Sequence, residues 1–468
     1  MATIDDVVRT GVCVGCGGCS AATGGRIPVR LGPTGLYKAD LSNATSHDKL
    51  LGSKVCPFAD ESRNEDEIGE SLFEGLPRDD RIGYYRSMFA GRVNDDTRVE
   101  SSSSGGLTTW LLRALLESGK VQGVIHVGES NGPLFGYVIS RTIDDLDQSR
   151  KSKYYPTSFG DVLRSIRGDG QVYAFVGIPC AIRSLRLIAE SDPSLQSQIK
   201  YAVGILCGHL KSAAYAESFA WQLGVEPEHI ETVDFRIKDR NLTSRQYSFG
   251  VKDRRDGEWR TAQTLSLVGG SWGHAVFQPE ACNYCDDVFA ETADVVIGDA
   301  WLAKYEIDWR GTNVVVSRSS ELDEIFAAGD DRGDLVREPL EIDSVVRTQS
   351  GNFRHRRDGL AVRLADDDAA GRWHPTKRVQ PGYPVSDERV RLIRERRNLS
   401  SVSHEAFAEA KSAGNLEVYL GAILPLIESY QSSTKMTLTR RILNKFKREA
   451  WKIVTSLRSR RQSAGQNQ

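Results

Sequence analysis

Apolar positions alternate between short continuous runs and stretches of helical period, which predicts a strand-then-helix rhythm through the middle of the chain. Val121 to Val127 and Phe135 to Ser140 read as strands. Val172 to Val176 is an apolar run ending at Gly177-Ile178-Pro179-Cys180, and Ala181 to Ala189 then has Leu185, Leu187 and Ile188 on one helical side. Tyr201 to Leu206 repeats the unit and ends at Cys207-Gly208, before a helical stretch from Ala213 to Leu223. Cys180 and Cys207 thus hold the same place in consecutive strand–helix units, beyond the carboxyl ends of strands, where α/β sheets put their sites. Val233 to Ile237, Tyr247 to Val251, Thr264 to Val268, Asp294 to Ile297 and Leu360 to Leu364 read as further strands. Leu107, Trp110, Leu111, Ala114 and Leu115 mark a helix entered from Ser101-Ser102-Ser103-Ser104-Gly105-Gly106. Asp60 to about Arg81, acidic and poor in apolar residues, reads as a linker. Helical pattern resumes from Val402 to Tyr430, interrupted at Gly414 and Pro425.

Length and composition narrow the class. A chain of 468 residues, 40% hydrophobic and 26% charged, is long enough for two or three domains without disulfide staples. No apolar stretch reaches about 18 residues, so no membrane span is expected. The acidic start Met1-Ala2-Thr3-Ile4-Asp5-Asp6 is no secretory signal, which points to a reducing compartment and to metal or cluster ligation by the cysteines. Net charge is −2, but residues 436–461 carry nine Lys or Arg against one Glu. With Ile442, Leu443, Phe446, Ile453, Val454 and Leu457 on one side, this run resembles a helix lying on a membrane surface or an anionic partner; an ordinary docked helix fits equally well.

All eight cysteines fall into two sets of four. Cys13-x-x-Cys16-x-x-Cys19, interleaved with glycines, closes far away at Cys56-Pro57. Thiolates at this spacing followed by a Cys-Pro suit an iron–sulfur cluster, and zinc is the alternative. Cys180, Cys207 and Cys282-x-x-Cys285 make the second set, brought together only by folding. Two clusters in one chain imply single-electron transport to a cofactor that converts one- to two-electron chemistry, most commonly a flavin. No Gly-x-Gly-x-x-Gly fingerprint is present, so a flavin needs another cradle. The serine–glycine turn at a helix start suits a phosphate, and Lys151-Ser152-Lys153-Tyr154-Tyr155 offers cations beside planar rings. The eight histidines show no hydrolytic metal motif.

The pieces Cys13-x-x-Cys16-Gly17-x-Cys19 with Cys56-Pro57, Ser103-Ser104-Gly105-Gly106, Ser152-Lys153-Tyr154, Gly177-x-Pro179-Cys180 with Arg186, Cys207-Gly208, Phe235-Arg236-x-Lys238, Cys282-x-x-Cys285-x-Asp287, Ala293-Asp294, Gly298-Asp299-Ala300-Trp301 and Gly311-Thr312 stand in one order. Over roughly residues 8 to 360 that order resembles the beta-subunit family of the deazaflavin-coenzyme-reducing hydrogenases and dehydrogenases. The family looks like a FAD and [4Fe-4S] module, related to 7-hydroxymethyl chlorophyll reductase of plants and to members encoded with bacterial surface-polysaccharide genes. By this resemblance Ser102, Ser103, Ser104, Gly105, Gly106, Lys153 and Tyr154 lie near FAD, with Gly177 and Pro179 in the pocket wall. The resemblance likewise places Cys180, Cys207, Cys282 and Cys285 near one cluster, and the spacing of Cys13, Cys16, Cys19 and Cys56 makes them the expected ligands of the other. Isoleucine before Pro179, where the family more often has threonine, and the basic C-terminal run are departures.

The expected architecture is α/β. A mixed-sheet flavin and iron–sulfur core over 81–400 follows a small cysteine-rich cluster segment and linker over 1–80 and precedes a helical extension over 401–468. The expected function is electron relay between ferredoxin or a reduced deazaflavin and another substrate through FAD, in the cytoplasm or at the inner face of a membrane, with surface-polysaccharide metabolism as one setting and no nucleic-acid partner. The alternative is a zinc-stabilised, non-catalytic scaffold of the same fold.

Overall fold

The computed structural model describes residues 2–130 and 132–433, so the basic run 436–461 lies outside the described residues. An eight-stranded mixed sheet forms the centre. Its strands are β1 (Ser87–Val93), β2 (Gly123–Glu129), β3 (Phe135–Ser140), β4 (Tyr173–Gly177), β5 (Ile199–Ile205), β6 (Val295–Asp299), β7 (Asn313–Ser317) and β8 (Leu335–Pro339), in the spatial order β8-β1-β7-β6-β5-β4-β2-β3. The central neighbours β6, β5, β4 and β2 run parallel, while β3, β7 and β8 are antiparallel to their neighbours. Sequence explains the layout: Tyr173-Ala174-Phe175 and Val295-Val296-Ile297 are buried without alternation, as strands covered on both faces require.

Because β1 also runs with the parallel group, the carboxyl ends of β1, β4, β5 and β6 meet at one edge of the sheet. From that edge emerge the serine–glycine turn before α1 (Leu107–Glu117), the Gly177-Ile178-Pro179-Cys180 step into α2 (Pro179–Ser191) and Cys207. Pro179 at the first helical position of α2 has no amide to satisfy, so the turn is short and sharp. A separate three-stranded antiparallel sheet (Ile230–Ile237, Ser248–Asp253, Trp259–Gln263) shares an apolar core with α3 (Asp387–Ala413) and α4 (Leu416–Ser433).

Four local expectations are corrected. Leu360 to Leu364 lies in the helix Gly359–Ala369, where Leu360, Arg363, Leu364 and Asp367 share a buried face at helical spacing. Thr264–Ser266 is a short 3-10 turn. The acidic stretch after Asp60 holds the helix Glu65–Leu72, capped reciprocally by Asn64 and Glu67 and anchored by fully buried Ile68. Gly414, in the left-handed region at φ 60°, ends α3, whereas α4 runs on through Pro425.

His126 on β2 is buried against Ser140 of β3, with 2.7 Å between its Nε2 and the hydroxyl. Burial, then the nearby Lys153 charge, push its pKa down to about 4. The unfolded chain takes up that proton near pH 6.5, so the folded state keeps full stability above 6.5 and loses it as pH falls toward 4. The loss is about 1.4 kcal/mol per pH unit, or roughly 3 kcal/mol in all. The expected result for His126→Gln is a urea midpoint that declines less steeply between pH 7 and pH 4; an unchanged slope would assign the acid sensitivity to other groups.

Candidate functional site

Cys16 opens the N-terminal loop onto the sheet. Its carbonyl accepts a 2.8 Å bond from the Phe159 amide, and Gly17 turns the chain with φ 95°. A side chain at Gly17 would sit 2.5 Å from the Gly160 amide nitrogen, so the loop can press this close only as glycine. Cys19 follows on the short helix Gly18–Ala22, and Cys56 ends the helix Ser46–Val55. These four cysteines line one pocket, walled otherwise by glycine, proline and apolar residues including Ile4, Val7, Val14 and Phe58. Cys56, 37 positions beyond Cys19 in sequence, shares this cavity with the other three.

The second set lines a neighbouring cavity. Cys180 reaches it from the first turn of α2, Cys207 from beyond β5, and Cys282 and Cys285 from the 3-10 turn Glu280–Tyr284 and its end. Val14 and Phe58 line both cavities, so the two share a wall. α2 also joins them: Cys180 faces the second cavity, and one turn on, about 6 Å along the axis, the Ser184 hydroxyl lies 3.8 Å from the Cys16 sulfur. Tyr137 is packed beside both sets, its hydroxyl pushed up by burial and then by Cys180 and Cys16.

All eight cysteines are free of disulfides. Burial pushes the thiols of Cys16 and Cys285 up to about 11 and those of Cys56 and Cys207 up to about 12. Such thiols stay neutral and inert until a metal displaces their protons. Amide donors already point at two sulfurs, from Ala39 to Cys13 at 3.4 Å and from Leu210 to Cys282 at 3.3 Å, as thiolates of iron–sulfur centres receive. Among the described residues, the one group of three His, Cys, Asp or Glu residues with all donor atoms within 4.8 Å of one another is the surface set Glu226, Glu228 and His229.

The expected flavin residues form a second cluster on the same sheet edge. The Ser152 amide donates to the Ser103 hydroxyl at 2.7 Å, joining the serine–glycine turn to Lys153-Tyr154. Ser102 and Ser104 donate their hydroxyls to the Arg98 and Thr312 carbonyls, so their side chains are engaged within the protein. Gly105 packs where a Cβ would meet the Gly91 carbonyl and Asn313, and the Leu107 amide after Gly106 donates to Asn313 at 3.1 Å. Lys238 holds the turn from below, donating to the carbonyls of Val99, Ser104 and Arg310 at 2.7, 2.8 and 2.6 Å. Lys153 stands over the Phe135 ring. Gly177 closes β4, and Pro179 lines the second cavity.

Aromatic contacts connect this cluster to the second cysteine set. Tyr154 packs on Trp272 at 5.0 Å, and Trp272 stacks on His209 at 4.2 Å, two residues from Cys207. Lys211, fully buried, donates to the Val276 carbonyl at 2.6 Å and lies over Trp272 and Tyr215. From α3, Arg396 reaches the Gly273 carbonyl, His355 and His209. Sequence reasoning passed over His209, Lys211, Trp272 and Arg396. For His209 and Lys211 the signal was their place directly after Cys207-Gly208; for Arg396, in a charge-rich helix, there was none.

Residues 170–342 match the C-terminal model, and residues 88–164 the N-terminal model, of the coenzyme F420 hydrogenase/dehydrogenase beta subunit, together more than half of the chain. The coenzyme F420-dependent sulfite reductase of Methanocaldococcus jannaschii is 25% identical over 63% of this chain, which spans only 43% of that protein's length. One subunit of the F(420)H(2) dehydrogenase of Methanosarcina mazei is 22% identical over 72% of this chain and 86% of its own. The beta subunit of the coenzyme F420 hydrogenase of Methanothermobacter thermautotrophicus is 25% identical over 56% and 86%. A chain of the F420-reducing [NiFe] hydrogenase complex of Methanosarcina barkeri aligns over 66% of this chain and all of its own, with 16% identity and a TM-score of 0.48.

Proposed function

Since this chain belongs to the coenzyme F420 hydrogenase/dehydrogenase beta-subunit family, we propose that it is an iron–sulfur flavoprotein oxidoreductase relaying electrons between ferredoxin or a reduced deazaflavin and a second substrate. The observation that carries this reading is the pair of adjoining cavities, each lined by four cysteines and separated by Val14 and Phe58. Bound there, [4Fe-4S] clusters supply single-electron transfer, and FAD beside them supplies the exchange between one and two electrons.

The protein's own residues do the rest. Cys13, Cys16, Cys19 and Cys56 would hold one cluster, and Cys180, Cys207, Cys282 and Cys285 the other. Val14 and Phe58 keep water out of the space between them, and the Ala39 and Leu210 amides stabilise thiolate charge. The Ser103–Ser152 bond fixes the serine–glycine turn against Lys153 and Tyr154, which favours a flavin held across these two segments. Tyr154, Trp272 and His209 would link it to the second set.

Protein purified without air is expected to hold about eight iron and about eight acid-labile sulfide per chain, the content of two cubane clusters. FAD is expected on denaturation, and the visible absorbance should bleach with dithionite. About two zinc with no sulfide would replace this reading with the scaffold.

A further inference from the structure

Arg356 enters the second cavity from a segment that neither cysteine set nor the family match includes. The helical run from Ser350 to Ala369 contains one π-helical turn, Arg354–Asp358, a local widening that often accompanies function. That turn carries Arg356 inward: the residue is 2% exposed and lines the cavity with Cys180, Cys207, Cys282 and Cys285. Its Nη2 donates to the Cys207 and Gly208 carbonyls at 3.1 and 2.8 Å and lies 3.8 Å from the Cys207 sulfur, and its Nε donates to Gly208 at 3.1 Å. These bonds fix the guanidinium plane. Its Nη1 is buried with no hydrogen-bond partner, a costly state for a cation donor unless an anionic group takes its place.

We propose that Arg356 is a positioning residue that raises the reduction potential of the iron–sulfur centre held by Cys180, Cys207, Cys282 and Cys285. The inference rests on the iron–sulfur reading of that set. A cluster bound by four thiolates is anionic and gains one more negative charge on reduction, so a fixed cation at the sulfurs stabilises the reduced form more than the oxidised one. Net charge and hydrogen bonds to the sulfurs are the levers by which proteins set such potentials. Arg356 keeps its proton throughout; one electron passes from an added reductant to the cluster, and no bond forms or breaks.

The test is an anaerobic dithionite titration of the full chain followed by electron paramagnetic resonance, for the unaltered protein, Arg356→Gln and Arg356→Lys. Both variants are expected to retain full iron. In Arg356→Gln the one-electron reduction equilibrium of one centre should shift at least tenfold against reduction, a fall of about 59 mV. Arg356→Lys should recover part of that shift, and the other centre should stay unchanged. Full iron with both midpoints unmoved would overturn the proposal. So would loss of about half the iron in both variants, since Arg356 would then serve assembly. Absence of any cluster signal in the unaltered protein would sink the iron–sulfur reading itself, a failure seen before any variant is made.

Discussion

Cys180→Ala is expected to lower iron from about eight to about four atoms per chain, and Cys19→Ala to remove the other four or so. The two losses should be independent, because each cysteine lines one cavity and not the other. Cys180 is the most informative member of its set. It projects from the first turn of α2 and is coupled electrostatically to Cys285, Cys207 and Cys282, and also to Cys16 of the other set. If either substitution emptied both sites, the common wall of Val14 and Phe58 would have to be part of a single assembly unit. If neither changed the iron content, the cysteines would not be ligands and the relay would have no carriers. Iron and sulfide counted on each variant decide among these outcomes.

The parallel core was legible because its residues are buried without alternation, and β4 and β5 do stand side by side with Cys180 and Cys207 beyond the same ends. The ordered motif pieces were legible as a set, although their physical meaning was not. Several prove to be partners of one another: Arg186 pairs with Asp294 at 2.8 Å, Arg236 with Asp299 at 2.7 Å, Lys238 with the Ser104 carbonyl and Ser152 with Ser103. Spacing along a chain cannot reveal pairs formed between such distant positions. Arg356 was hidden for a different reason. Arg354-His355-Arg356-Arg357-Asp358 is a run of charged and basic residues in the sequence, and the π-helical turn carries Arg356 inward. The helix Glu65–Leu72 was missed because one fully buried side chain, Ile68, suffices to seat it when buried Glu65 meets an arginine.

That arginine, Arg183, carries the second large expected effect. It lies on α2 between Cys180 and Ser184, and its guanidinium is about as buried as the Glu65 carboxylate it meets at 3.2 Å. It also donates to the Pro57 and Arg63 carbonyls at 3.0 Å and to the Ser62 hydroxyl at 3.1 Å, which ties the chain just after Cys56 to the helix that bears Cys180. Arg183→Met keeps the apolar stem but strands a buried carboxylate, for which removal of one partner typically costs about 3–5 kcal/mol. Arg378, 3.9 Å from Glu65, offsets part of this, so about 3 kcal/mol is expected in urea unfolding, with iron lost from the first cysteine set before the second. Adding Glu65→Gln should restore a large share of the stability, because the stranded charge is then gone. The freed loop after Cys56 should still shed iron in the double variant. A double variant as unstable as Arg183→Met alone would show that the three backbone and hydroxyl bonds, and not the ion pair, hold the N-terminal segment in place.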